Sequence, residues 1–110
     1  MAPIDGEVVL HKTSPSVFSG TPIIGLVNSL NVDTLVVAGE STSGCCRASV
    51  VDGKAYRCKM LIAEECVFDR TEATHAINLF DLDQKYADVA PVDEAIAHFK
   101  TVESWPRKLS

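Results

Sequence analysis

The chain has 110 residues, a net charge of −5 at neutral pH and 46% hydrophobic residues. That size supports one domain with a single modest core, and the apolar share argues against disorder. Ten scattered basic residues in an acidic chain leave no footprint for nucleic acid, no apolar run reaches the roughly 18–20 residues that span a bilayer, and the start, Met1 to Glu7, lacks the regions of a signal peptide.

In chain order, Glu7 to His11 predicts a short strand, and KTSPSVFSG, from Lys12 to Gly20, a loop rich in turn formers. Thr21-Pro22 predicts a helix start, with Thr21 as N-cap and Pro22 at the first helical position. Ile23, Ile24, Val27 and Leu30 recur at helical spacing, and Asn31 closes the element. Thr34 to Ala38 is an unbroken β-rich run, the pattern of a strand covered on both faces. A second helix is expected from Ser43 or Gly44 to about Tyr56, despite Gly53. A second buried strand is expected over Cys58 to Ala63, a loop over Arg70 to Thr74, and a helix over His75 to Tyr86. Ala87 to Val89 predicts a short strand, and Pro91 opens a last helix with Ala95, Ile96 and Phe99 inward. The tail from 104 to 110 is expected to be loose.

Alternating strands and helices point to an α/β fold: a three-layer, Rossmann-like parallel sheet with right-handed crossovers, one domain over residues 1–110. In such sheets ligands bind beyond the carboxyl ends of the strands. GESTSGCCRASVVDG, Gly39 to Gly53, starts in one of those loops. Cys45 follows Ser43-Gly44 and falls in the first helical turn, where the unpaired N–H groups and the macrodipole favour a thiolate. Cys46 is turned about 100° away, towards the sheet or a neighbouring helix. On pattern alone the plainer reading, two small core-filling hydrophobes, carries more weight. Cys45, Cys46, Cys58 and Cys66 have no CxxC spacing, so free thiols in a reducing cytoplasm are expected, and their spacing with His75 is poor for zinc.

TSGCCRASVVD resembles the nucleophile segment of the isochorismatase-like cysteine hydrolases. VVLHKTSPSVFSGTP resembles their lysine segment. EECVFDR and HAINLFDLDQKYADV are similar to stretches of the branch that holds N-carbamoylsarcosine amidase and maleamate amidohydrolase. The resemblance implies Cys45 as nucleophile and Lys12 as the ammonium beside it. It also aligns Glu40-Ser41 with a non-proline cis peptide that sets the Ser41 and Cys45 amides as an oxyanion hole. Arg70 matches the residue that grips a substrate carboxylate, although a solvated loop arginine is the plainer reading. His75 and Asp81 are expected to be structural. The implied activity is hydrolysis of a linear amide or carbamoyl C–N bond in a small carboxylated substrate, with no cofactor and no metal. Vinyl-ether hydrolysis, the other chemistry of this fold, is disfavoured by the presence of Cys45.

The resemblance covers only the C-terminal half of a usual family chain, so the fold is expected to be truncated at its N-terminus. The family's third catalytic group is an aspartate ending an N-terminal strand, and here the only acids before Lys12 are Asp5 and Glu7, at the wrong end of the expected strand. Activity is therefore expected to be impaired. The strand from Thr34 to Ala38 would keep an open edge, which invites a homo-oligomer or a partner chain that supplies the missing strands. The alternative is a non-catalytic binding or interaction module.

Overall fold

The computed structural model describes residues 2–101; the expected loose tail lies outside them. The order is α1 (Ile23–Ser29), β1 (Thr34–Glu40), a wide helical turn (Thr42–Cys46), α2 (Arg47–Ala55), β2 (Lys59–Phe68), α3 (Glu72–Lys85), β3 (Asp88–Ala90) and α4 (Val92–Phe99). The three strands form one parallel sheet in the order β1-β2-β3. Each parallel step needs a crossover, and α2 and α3 supply them, the α/β arrangement expected from the sequence.

Side chains alternate along β2. Met60 and Ile62 point into the main core, where Val27, Val50, Leu79 and Leu82 meet them. Ala63 faces the other way, and α4 packs on β2 with Ala95 buried. Cys58, just before β2, fills the main core. Gly53 is explained by packing: a Cβ there would lie 2.8 Å from Met60 Cε and 3.2 Å from Phe18 Cε2, so the glycine lets α2 approach β2.

Four expectations are corrected. Glu7 to His11 is not a strand: the segment is mostly exposed and pairs with none of the described strands, and β propensity without a neighbour does not make a sheet. β1 is not covered on both faces; it is the edge strand, and none of its residues is fully buried. Ile96 and Phe99 point outward, 44% and 53% exposed, because the sheet beneath α4 is narrow and β3 has only three residues. Finally, α3 begins at Glu72 rather than His75, because the Thr71 side chain caps it by accepting from the Thr74 amide.

α1 begins one residue later than expected, at Ile23 after Pro22, and Asn31 ends it with φ of 58°. β2 runs on to Phe68, beyond the expected Ala63, through an irregularity in its pairing. Val37 pairs with Ile62 and Gly39 with Val67, so β2 takes three more residues than β1 over that interval. The extra residues free Glu65 to accept from the Val92 amide at the start of α4 (2.9 Å). Bulges of this kind are common next to functional sites, where they redirect a strand.

Candidate functional site

The site is built where β1 ends. Gly39 adopts φ of +123°, a conformation open to glycine, and the Glu40-Ser41 peptide bond is cis, as the resemblance implies. The chain then makes a turn wider than an α-helix. The Ser41 carbonyl accepts from the Gly44 amide (3.0 Å) and from the Cys46 amide (3.2 Å), the two amides that flank Cys45. Gly44 leaves room in this turn: a Cβ would sit 2.7 Å from Ser41 Oγ, which would have to rotate away. Cys45 therefore stands in this wide turn and α2 follows it, a small displacement from the expected first helical turn.

Lys12 reaches Cys45 from a loop with its own anchors. The Val17 amide donates to Ser49 Oγ (2.9 Å), and Phe18 packs against Tyr56 with ring centroids 5.5 Å apart. Phe18 also lies over Gly53. Ser49 and Gly53 of α2 and Tyr56, its C-cap, follow one another at helical spacing, so the loop is fixed to the helix that follows the thiol. Thr21 Oγ1 donates to the Val17 carbonyl and tightens the loop further. The Lys12 ammonium donates to the carbonyls of Ser14 (3.1 Å) and Pro15 (3.2 Å) and lies 3.7 Å from Cys45 Sγ.

A cavity of about 310 Å³ opens over this pair, lined by Lys12, Cys45, Cys46, Glu40, Ser49, Val17 and the β1 residues 36–38. A larger hollow of about 470 Å³ lies at the opposite ends of the strands, by Lys59 and Asp88, and holds neither Lys12 nor Cys45. The smaller cavity is the candidate site because chemistry, not volume, selects it.

Cys46 belongs to the core, 3% exposed. Burial pushes its thiol up, and the nearby Cys45 and Asp69 add to that, with Lys12 opposing. It is a packing residue as well as part of the cavity wall. Cys45 is half-buried, and all four cysteines are free.

Arg70 is not brought into the cavity wall. It is exposed on the loop after β2, and its backbone amide donates to Asp69 Oδ1 (2.7 Å). Asp5 and Glu7 line a separate surface hollow with Ile4, Gly6 and Val8. Among the described residues, no group of three or more His, Cys, Asp or Glu side chains converges to hold a metal ion.

Three further residues brace the turn. Asp69 Oδ2 accepts from the Ser43 amide (2.8 Å); the Ser43 hydroxyl first, then the Ser43 and Arg70 amides, hold this carboxyl below its ordinary 3.8. Thr42, fully buried, shares a hydrogen bond with His75 Nδ1 (2.7 Å). Arg47 Nη1 donates to Asn78 Oδ1 (2.8 Å), and Asn78 Nδ2 donates to the Thr74 carbonyl. His75 stands in the first turn of α3 and meets the buried Thr42 side chain from there. Asp69 was hidden in EECVFDR because only the strand irregularity carries it to Ser43.

Fold and site together define a parallel α/β protein with a thiol and an ammonium paired beyond the carboxyl end of its first strand. Residues 1–94 match the isochorismatase domain, and the chain belongs to that family. It is 44% identical over 100 residues to the maleamate amidohydrolase of Pseudomonas putida, covering 91% of this chain and 47% of that protein. It is 34% identical over 114 residues to the N-carbamoylsarcosine amidase of an Arthrobacter species, covering all of this chain and 43% of that protein. The chain therefore spans about half the length of these relatives. The crystal structure of an isochorismatase-like hydrolase from Alkaliphilus metalliredigens superposes with a TM-score of 0.85 at 26% identity, over 90% of this chain and 55% of that one.

Proposed function

We propose that this chain carries the nucleophile and lysine of a cysteine amidohydrolase that cleaves the C–N bond of a small carboxylated amide or carbamoyl compound. The observation that carries the reading is the 3.7 Å approach of Lys12 Nζ to Cys45 Sγ. The names of the two relatives, a maleamate amidohydrolase and an N-carbamoylsarcosine amidase, support the substrate class.

In this mechanism the Lys12 ammonium stabilises negative charge on the sulfur, which attacks the substrate carbonyl carbon. The Ser41 and Cys45 amides receive the oxyanion. The C–N bond breaks, the nitrogen takes up the proton that the thiol gave up and leaves as ammonia, and a thioester remains on Cys45. Water then adds to the thioester, the C–S bond breaks, and the thiol and a carboxylic acid (from a carbamoyl compound, a carbamic acid) are released. Arg70, exposed on the loop after β2 and outside the cavity wall, would read the carboxylate only of a substrate that extends beyond the cavity. Neither Asp5 nor Glu7 lines the Cys45 cavity, whereas Glu40 does. Free cysteines fit a cytoplasmic setting.

Ammonia release from maleamate, N-carbamoylsarcosine and their uncarboxylated analogues tests the reading. Release confined to the carboxylated compounds and abolished in Cys45→Ala is expected; no release from any of them would count against it.

The open edge of β1 favours a second reading, a non-catalytic module that pairs with another copy or another chain. Light scattering that shows a monomer at all concentrations would oppose it. Among the described residues no helix is long and apolar enough to cross a membrane.

A further inference from the structure

We propose that His75 is a positioning residue for Cys45, acting through Thr42; the inference rests on the amidohydrolase reading above, but its test needs no turnover.

The wide turn from Thr42 to Cys46 closes on the Ser41 carbonyl, which accepts from the Gly44 and Cys46 amides, and the Arg47 amide donates to the Gly44 carbonyl. Groups outside the turn add to these backbone bonds. Three of them come from one stretch, Asp69 to Asn78, and they meet the chain at Ser43, Thr42 and Arg47.

The Thr42 link differs from the other two. Arg47 is exposed, and Asp69 stands on a loop before the helix. Thr42 is 0% exposed, so its hydroxyl has no water to fall back on, and among the described residues no buried side-chain polar atom is left without a partner. His75 is a member of α3, fixed by its own amide donating to the Thr71 carbonyl (3.1 Å) behind the Thr71 cap. The pair ties the start of the turn to a rigid element, three residues before the sulfur.

A hydroxyl both donates and accepts, so the bond survives in either tautomer of the imidazole. What it requires is a polar atom at the Nδ1 position. Without one, the turn relaxes and Cys45 loses its register with Lys12, whose 3.7 Å spacing is already long for a sulfur contact.

The test uses His75→Asn, whose Oδ1 can occupy the Nδ1 position, against His75→Gln, whose polar end extends towards the Nε2 position. Thr42→Ser and Thr42→Val form the second pair, with and without the hydroxyl. The readout is the rate constant for iodoacetamide alkylation of Cys45, with half-buried Cys66 in the same sample as reference and the urea midpoint recorded for each variant. H75N and T42S are expected to stay within about twofold of the parent. H75Q and T42V are expected to lose about tenfold at Cys45 and nothing at Cys66, the size of effect that small misplacement of a reacting group produces. Equal Cys45 rates in all four folded variants would overturn the proposal. So would equal losses in H75N and H75Q, which would make the position one of shape alone; if H75Q fails to fold, the serine and valine pair at Thr42 decides. A parent that releases no ammonia yet shows this pattern counts against the amidohydrolase reading and leaves the positioning role standing.

Discussion

Lys12 and Cys45 are 33 residues apart in the chain, yet the ammonium lies 3.7 Å from the sulfur. The two approach because the loop after Lys12 is fastened to α2 at Ser49, Gly53 and Tyr56, the helix that follows the thiol. The same helix face thus serves packing and site geometry.

Removal of the charge should slow the thiol. Lys12→Met keeps the stem but not the ammonium, and Cys45 alkylation at neutral pH is expected to fall about tenfold, because the cation beside the sulfur is gone. Lys12→Arg should fall between the two. A Lys12→Met protein as reactive as its parent would show that the ammonium plays no part.

Gly53→Ala probes the fastening itself. Alanine gains about 1 kcal/mol of helix propensity over glycine. The new Cβ would press on the end of Met60, which is 2% exposed and enclosed by the core, and on Phe18. Overpacking of this kind costs about 1–3 kcal/mol. A net loss of about 1 kcal/mol is expected in urea denaturation, with slower Cys45 alkylation as Phe18 shifts; a stabilised variant would contradict the packing assigned to Gly53.

Asp69 gives a pH signature. Its carboxyl is held below the ordinary 3.8, so the stability that it lends is complete above about pH 4 and fades as the pH falls through the lowered folded-state value. Asp69→Asn should be less stable than the parent at pH 7, and the gap should narrow as the pH is taken towards 2. Denaturation midpoints of both proteins at pH 7, 4 and 2.5 check this, and a gap that does not change with pH would remove the role given to the Ser43 contact.

Much of this was legible in the sequence because it is local. The run Thr34 to Ala38, the small residues before Cys45 and the periodicity of α1 each announce an element within a few residues. Legibility fails where an outcome depends on a distant neighbour. Glu7 to His11 has strand composition but no strand to pair with, and Ile96 and Phe99 have inward spacing but too narrow a sheet beneath them. Asp69 is read as a loop acid until the irregularity between Val37 and Gly39 carries it to Ser43. The resemblance supplied Lys12 and Cys45, and the geometry brings those two together while leaving Arg70 outside the cavity wall.

The most direct measurement is the relative alkylation of the four cysteines in the unmodified chain, followed by peptide mass spectrometry at neutral pH under native conditions. Cys45 should react at least tenfold faster than Cys66, with buried Cys46 and Cys58 slowest of all. Equal rates at Cys45 and Cys66, two thiols of similar exposure, would mean that neither Lys12 nor the turn activates the sulfur, and the nucleophile assignment would fall.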